Sequence, residues 1–162
     1  MLHLIIGNTG AGKTTYARKL KQQNRGIIFS IDQWNKDLFF ADKQPDDGLN
    51  WFLERIERAE TIIKSLIIQL ENAGTDSILD LGFAKYSHRL SFLNFIQQHK
   101  FKHQIHYLKI DSETRFNRIT KRNNEKGAAF QFEVFEQDFN FMESWFELPQ
   151  NTELQNCITI TQ

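Results

Sequence analysis

A glycine-rich stretch, GNTGAGKTT at residues 7–15, constrains the fold of this chain more than any other part of its sequence. It matches the pattern G-x-x-x-x-G-K-[ST] completely, with an apolar run at residues 2–6 before it and helical spacing after it. Glycine adopts backbone conformations that other residues rarely reach, and a tight turn requires them. The sequence therefore begins with a predicted strand, a tight loop and a helix.

The chemistry of this loop suits a chain of phosphate groups. Gly7, Gly10 and Gly12 allow several backbone N–H groups to point inward, and the positive end of the helix dipole adds to them. Lys13 is expected to reach the β and γ phosphates, and the Thr14 hydroxyl to bind Mg²⁺. The residues predicted to bind the nucleotide are Gly7, Asn8, Thr9, Gly10, Ala11, Gly12, Lys13, Thr14 and Thr15.

Short apolar stretches alternate with segments of helical spacing along the rest of the chain. The predicted strands are 2–6, 26–30, 77–80, 104–110 and 157–161. The clearest predicted helix is 51–71, with Asn50 as its N-cap and Gly74 near its end. This alternation, with mostly buried strands, favours an α/β sandwich around a parallel sheet.

Composition limits the classes of partner. The 162 residues include 20 Lys plus Arg and 20 Asp plus Glu, so no overall charge favours nucleic acid or an anionic membrane. The single Cys157 excludes an internal disulfide framework, and the apolar start is too short for a signal peptide or a membrane span. We expect one cytoplasmic domain over residues 1–162, with no membrane and no obligate protein partner.

The glycine-rich loop alone does not separate switches, motors and kinases. A guanine-specific switch carries Asn-Lys-x-Asp on a late strand, whereas NKDL at residues 35–38 has its Asp one place early and lies near the start of the chain. Motor ATPases need a longer chain. A small phosphoryl-transfer enzyme is therefore the favoured class.

Five stretches carry a family resemblance: IIGNTGAGKTTYARKL, FSIDQW, ILDLGF, YLKIDSETRFNRITKRN and WFELP. Over residues 1 to about 149 the chain resembles the predicted-kinase branch of P-loop ATP-binding proteins, related to phage polynucleotide kinase, zeta toxins and chloramphenicol phosphotransferase. The resemblance implies a nucleoside-kinase-like three-layer sandwich with five parallel strands in the order 2-3-1-4-5. It also implies ATP as donor and a mobile basic lid, and it leaves the acceptor hydroxyl open.

Two aspartates follow or end predicted strands. By the resemblance, Asp32 holds the acceptor hydroxyl, and the carboxyl ends of parallel strands are where ligands bind in such sheets. The alternative for Asp32 is a cap of a helix that begins at residue 33 or 34. Asp80 ends SILD and by resemblance holds either the hydrated Mg²⁺ or the acceptor; the alternative is a turn-forming Asp before Gly82.

Three arginines, Arg115, Arg118 and Arg122, share one face of a predicted helix because they are spaced 3 and 4 apart. This face resembles the helical lid of small kinases, placed near residues 111–130, in which Arg118 and Arg122 match R-x-x-x-R-N and Arg115 matches less well. The alternative is a solvated basic face. Arg89 either reaches the acceptor or lies on the surface.

Other candidate residues are expected to be structural. The sequence predicts no zinc site at His99, His103 and His106, since His103 and His106 face opposite sides of a strand. Residues Phe135, Phe139, Met142 and Phe146 are predicted to form a core stripe. Phe130 and Phe132 are candidates for flanking adenine, although no spacing rule supports them.

The sequence thus predicts an ATP- and Mg²⁺-dependent kinase that phosphorylates a hydroxyl of a small molecule or of a short nucleic-acid end. The predicted catalytic residues are Lys13, Asp32, Arg118 and Arg122, and the predicted metal-binding residues are Thr14 and Asp80. Two alternatives stay open: a zeta-toxin-like nucleotide-sugar kinase, and a nucleotide-gated binding module that hydrolyses ATP slowly.

Overall fold

The fold is an α/β sandwich around a parallel sheet. A computed structural model describes residues 1–127, 130 and 133–161, except the side chain of residue 151. Within these residues the strands are β1 (Leu2–Ile6), β2 (Ile27–Ser30), β3 (Ser77–Asp80), β4 (His103–Leu108) and β5 (Cys157–Ile160). All pairings are parallel and the order is β2-β3-β1-β4-β5, which confirms the predicted order.

Helices cover the faces of this sheet. They are α1 (Lys13–Asn24), α2 (Ile31–Leu38), α3 (Leu49–Asn72), α4 (Tyr86–His99), α5 (Ser112–Glu125), α6 (Glu136–Trp145) and α7 (Asn151–Leu154). A 3₁₀ turn spans Phe40–Asp42. Among the described residues, none of these helices combines the length and the apolar character that a membrane span needs.

The central strand β1 separates two layers of the core. All five of its residues are buried. Leu2, Leu4 and Ile6 belong to a cluster that includes Ile63 of α3 and residues of α4. Ile5 points to the other side, where it joins a cluster with Ala17 and Leu20 of α1. Alternation along one strand therefore supplies two hydrophobic layers, as a strand covered on both faces requires.

Helix α3 begins earlier than its sequence pattern predicts. Gly48, in an extended conformation, occupies the N-cap position, so the prediction of Asn50 as the cap is wrong. The helix ends at Asn72, and Gly74 follows with a φ of +67°, in agreement with the predicted stop. Because Ala59, Ile63 and Ile67 recur at helical spacing and are buried, packing against the sheet fixes this helix.

The predicted aromatic stripe near α6 lies only partly in the core. Phe139 is 6% exposed and packs with Ile119 and Val134, whereas Phe135 is 62% exposed. Phe135 precedes α6 as its N-cap, so its side chain leaves the buried face of the helix. The prediction of Phe135 as a core residue is wrong.

The parallel sheet brings four connections to one edge. The loops that follow β1, β2, β3 and β4 all leave from carboxyl ends of strands. Ser30 of β2 and Asp80 of β3 are aligned in register at this edge. The glycine-rich loop, the start of α2 and the carboxylate of Asp80 are therefore neighbours in the fold.

Candidate active site

The glycine-rich loop turns at the positions that the sequence predicts. Gly10 and Gly12 have φ values of +81° and +91°, and α1 begins at Lys13. Gly7 is required for close approach, since a Cβ atom there would lie 3.1 Å from Cβ of Ala11 and of Leu108. A Cβ atom at Gly10 would lie 2.6 Å from the backbone oxygen of Arg115. The loop is thus packed tightly against its own residue Ala11, against the end of β4 and against α5.

The two residues predicted to bind metal are in direct contact. The Thr14 hydroxyl donates a hydrogen bond to Oδ2 of Asp80, over 2.8 Å. Asp80 is buried, and desolvation raises its pKa, while Lys13, the Thr14 hydrogen bond and Arg18 oppose the rise. A hydroxyl beside a carboxylate offers the hard oxygen ligands that Mg²⁺ prefers, so this pair fits the ion. The turn-forming interpretation of Asp80 does not account for this contact.

Asp32 lies inside a helix rather than at its cap. Because α2 begins at Ile31, with Ser30 in the N-cap position, the capping interpretation of Asp32 is wrong. Its side chain is exposed to solvent. Desolvation by the surrounding protein nevertheless raises its pKa, the Asp80 carboxylate raises it further, and Lys13 and Arg122 oppose the rise. A carboxylate that is exposed to solvent, yet crowded by protein and by a second carboxylate, accepts a proton more readily than an ordinary aspartate.

Arg122 of α5 is close enough to Asp32 for the two charges to interact. Desolvation lowers the pKa of its guanidinium, and Asp32 opposes that change. Its Nε and Nη2 atoms are buried, and neither has a hydrogen-bond partner in the part of the chain that the structure describes. Buried donors without partners are costly, and a phosphate group would supply the missing acceptors.

Arg118 lies over the glycine-rich loop. Its Nη1 donates to the carbonyl oxygen of Ala11, over 3.4 Å, and lies 3.9 Å from the position of a Cβ atom on Gly12. Its side chain is exposed. Arg118 and Arg122, one helical turn apart, therefore both lie next to elements that would surround a bound phosphate chain.

The third arginine of this helix has a different position. Arg115 is 5% exposed and pairs with both carboxylate oxygens of Glu143 in α6, at 2.6 and 2.7 Å. Glu143 also accepts a hydrogen bond from Nδ2 of Asn8. The guanidinium of Arg115 is therefore occupied by protein groups, and the solvated-face interpretation is wrong for this residue. Sequence reasoning missed Glu143 because no motif marks it.

Arg89 is fully buried and ion-paired with Glu153. Both predictions for it, the acceptor side and the surface, are wrong. Its Nη1 also donates to the carbonyl oxygens of Phe83 and Ala84, which follow Asp80 in the chain. Arg89 thus stabilises the loop after β3.

The remaining candidates are two phenylalanines and the histidines. Phe132 lies outside the described residues. Phe130 is half-buried, and Nζ of Lys126 lies 5.9 Å from its ring centroid. His103 is exposed and His106 is buried, which agrees with opposite faces of β4.

Comparison with solved structures supports the fold. Kti12 from Chaetomium thermophilum, in complex with ADP-AlF3, is 14% identical with a TM-score of 0.70 over 99% of this chain and 89% of that one. An APS kinase from Mycobacterium tuberculosis, in complex with AMPPNP and APS, is 14% identical with a TM-score of 0.67 over 99% and 87%. A sugar kinase from Janibacter, unliganded, is 16% identical with a TM-score of 0.65 over 99% and 84%.

Comparison of the sequence gives the family. A search of curated proteins found no match. The family model described as AAA domain matches residues 2–149. These findings confirm the resemblance to kinase-like P-loop proteins, whereas kinship with polynucleotide kinase, zeta toxins or chloramphenicol phosphotransferase stays a prediction. The chain belongs to the AAA domain family, and its fold is that of P-loop kinases.

Proposed function

We propose that the protein is an ATP-dependent kinase that transfers the γ-phosphoryl group of ATP to a hydroxyl of a small molecule or of a nucleotide end. One observation carries the proposal: the exposed Asp32 carboxylate interacts electrostatically with both Lys13 and Arg122, and two buried nitrogens of Arg122 have no hydrogen-bond partner within the described residues. Transfer to a hydroxyl needs a carboxylate for the proton and cations for the phosphate charge. The sugar kinase and APS kinase among the solved neighbours support this choice.

The proposed reaction assigns each group a step. The acceptor oxygen forms a bond to the γ-phosphorus, the bond from that phosphorus to the β–γ bridging oxygen breaks, and ADP leaves. The proton of the acceptor hydroxyl passes to the Asp32 carboxylate, whose raised pKa makes it a stronger base than an ordinary aspartate. Lys13, Arg118 and Arg122 offset the negative charge of the phosphates during transfer.

Thr14 and Asp80 would hold Mg²⁺, which supplies positive charge to the β and γ phosphates when it is bound. The same two residues already share a hydrogen bond of 2.8 Å. We place the lid in α5, with Arg118 and Arg122 as the residues that contact the phosphate chain.

A transfer screen tests this proposal. Purified protein, Mg²⁺ and γ-labelled ATP are incubated with sugars, antibiotics, nucleosides and 5′-hydroxyl oligonucleotides in separate reactions. We expect stoichiometric label on one of these acceptor classes, and a rate of labelling at least about a hundredfold lower with the Asp32→Asn variant. ATP hydrolysis without label on any acceptor, together with nucleotide-dependent capture of a partner, would instead favour the nucleotide-gated binding module.

A further inference from the structure

A carboxylate outside the predicted site contacts both the glycine-rich loop and α5. Oε1 of Glu143 accepts hydrogen bonds from Nδ2 of Asn8 and from Nη1 of Arg115, and Oε2 accepts one from Nη2 of Arg115. Glu143 itself lies in α6. One side chain therefore joins the phosphate-binding loop to two helices that follow β4.

Asn8 is the residue through which this contact reaches the loop. Its Oδ1 accepts a hydrogen bond from the backbone N–H of Thr9, over 2.7 Å. Its backbone oxygen accepts from the N–H of Ala11, over 3.1 Å, and from Nζ of Lys13, over 3.4 Å. Asn8 thus contacts both the turn of the loop and the Lys13 ammonium.

Arg115 is held from several other directions. Its Nε donates to the carbonyl oxygen of Ile110, over 2.9 Å, and its Nη1 donates to that of Thr9, over 3.1 Å. Its guanidinium carbon lies 5.3 Å from the centroid of the Phe139 ring in α6. The ion pair with Glu143 therefore fixes the first turn of α5 against the loop, one turn before Arg118.

We infer that Glu143 is a positioning residue for nucleotide binding. Through Asn8 it holds the loop in the shape that receives phosphates, and through Arg115 it sets the base of the helix that carries Arg118 and Arg122. The inference rests on the proposed function only as far as nucleotide binding. Its readout is nucleotide affinity, so it does not depend on identifying an acceptor.

A double-mutant cycle tests the inference. The dissociation constant of a fluorescent ATP analogue is measured for the parent, Glu143→Gln, Asn8→Ala and the double variant. Glu133→Gln is the matched control, since it removes the same charge from an exposed residue ahead of α6. Unfolding midpoints are measured in parallel to separate affinity from stability.

We expect Glu143→Gln to weaken binding roughly tenfold or more, as loss of charge-assisted hydrogen bonds predicts, and Glu133→Gln to stay within about twofold. Asn8→Ala should weaken binding in the parent and should weaken it less when Glu143 is already Gln, because both changes break the contact between Asn8 and Glu143. Any remaining effect in the double variant comes from the bond to the Thr9 N–H, which Asn8→Ala also removes.

Two results would overturn the inference. One is a folded Glu143→Gln protein with parental affinity. The other is a double variant in which the two losses multiply, which would mean that the residues act independently. If Glu143→Gln does not fold, Asn8→Ala decides, because it leaves the Arg115–Glu143 ion pair intact; parental affinity would then overturn the inference. A parent that binds no ATP analogue would overturn both this inference and the proposed function.

Discussion

Arg89 and Glu153 form a fully enclosed ion pair with two parallel hydrogen bonds, from Nε to Oε1 at 2.5 Å and from Nη2 to Oε2 at 3.1 Å. The same arginine donates to the carbonyl oxygen of Glu147, over 3.0 Å, and so joins α4 to the segment before α7. Glu153 also accepts from the backbone N–H of Gln150. A guanidinium enclosed in this way depends on its carboxylate partner for charge compensation.

Glu153→Gln should therefore destabilise the protein strongly. It leaves a buried guanidinium without its counter-charge, which typically costs about 3–5 kcal/mol of unfolding free energy. Urea unfolding of the parent and the variant measures the difference. The control is Glu54→Gln, which removes the partner of an exposed Arg58 and should change stability by less than about 1 kcal/mol. Equal, small losses in both variants would contradict the structural role of Arg89.

A chain of polar side chains lies on the face of the sheet that α1 covers, between α1, β4 and β1. The Tyr16 hydroxyl oxygen lies 3.0 Å from Nδ1 of His106, and Nε2 of His106 lies 3.0 Å from Nδ1 of His3. Nε2 of His3 lies 3.4 Å from Oδ2 of Asp76. Every contact in this chain can be a hydrogen bond when the proton of each ring lies on Nε2. Desolvation, together with His3, lowers the pKa of His106 to about 4.

The contribution of His106 to stability should consequently fall as the pH is lowered from 7 towards 4. Between the ordinary histidine pKa of about 6.5 and the folded value of about 4, the unfolded chain binds the proton that folded His106 resists. By pH 5 the loss is on the order of 2 kcal/mol. The raised pKa values of Asp32 and Asp80 act in the opposite direction, so the measurement is the difference in pH slope between the parent and His106→Gln. Identical slopes would show that His106 titrates normally.

Asp32→Asn should separate transfer from binding. The loop, Lys13 and the arginines supply the contacts to ATP, so nucleotide affinity should stay within a few fold. Loss of a positioned base should lower phosphoryl transfer by roughly a hundred to ten thousand fold. The exposed Asp37 of the same helix provides the control, Asp37→Asn, which should transfer at the parental rate. Parental transfer by Asp32→Asn would move the search for the base to Asp80.

Lys13→Ala should lower ATP turnover about a hundredfold or more, because the ammonium that contacts the β and γ phosphates is lost. Its charge also moderates the pKa values of Asp32 and Asp80, and both should rise further in the variant. Steady-state ATP turnover and thermal unfolding are the measurements. Lys19→Ala, an exposed position on the same helix, should behave as the parent. Unchanged ATP turnover in Lys13→Ala would contradict a role of the glycine-rich loop in phosphoryl transfer.

The sequence predicts the parts of this protein that depend on local chemistry. Three glycines and a flanking apolar run specify the loop, and strand-helix alternation specifies a parallel sheet. The start of α2 is harder to predict from the sequence, because it depends on the packing of Ile31 in the core, where this residue is 4% exposed. The sequence pattern therefore predicts a start two or three residues too late, and on that prediction Asp32 is a candidate cap.

The ion pairs of Arg115 and Arg89 cannot be predicted from the sequence, for a different reason. The partners of Arg115 and Arg89 lie 28 and 64 residues away, so no local spacing connects them. An arginine on a helix has the same sequence pattern whether it meets solvent, phosphate or a buried carboxylate. Only the folded chain distinguishes Arg115, which is enclosed, from Arg122, whose buried nitrogens have no partner within the described residues.

The close packing of Gly10 against α5 limits how this sequence can vary. The atom that a larger residue would meet, 2.6 Å away, is a backbone oxygen, which cannot rotate aside as a side chain can. The residue type at position 10 is therefore dictated by a neighbouring helix as well as by any ligand. A descendant of this chain that had abandoned nucleotides altogether would still have to retain glycine at position 10, so a glycine there would not by itself be evidence of retained activity.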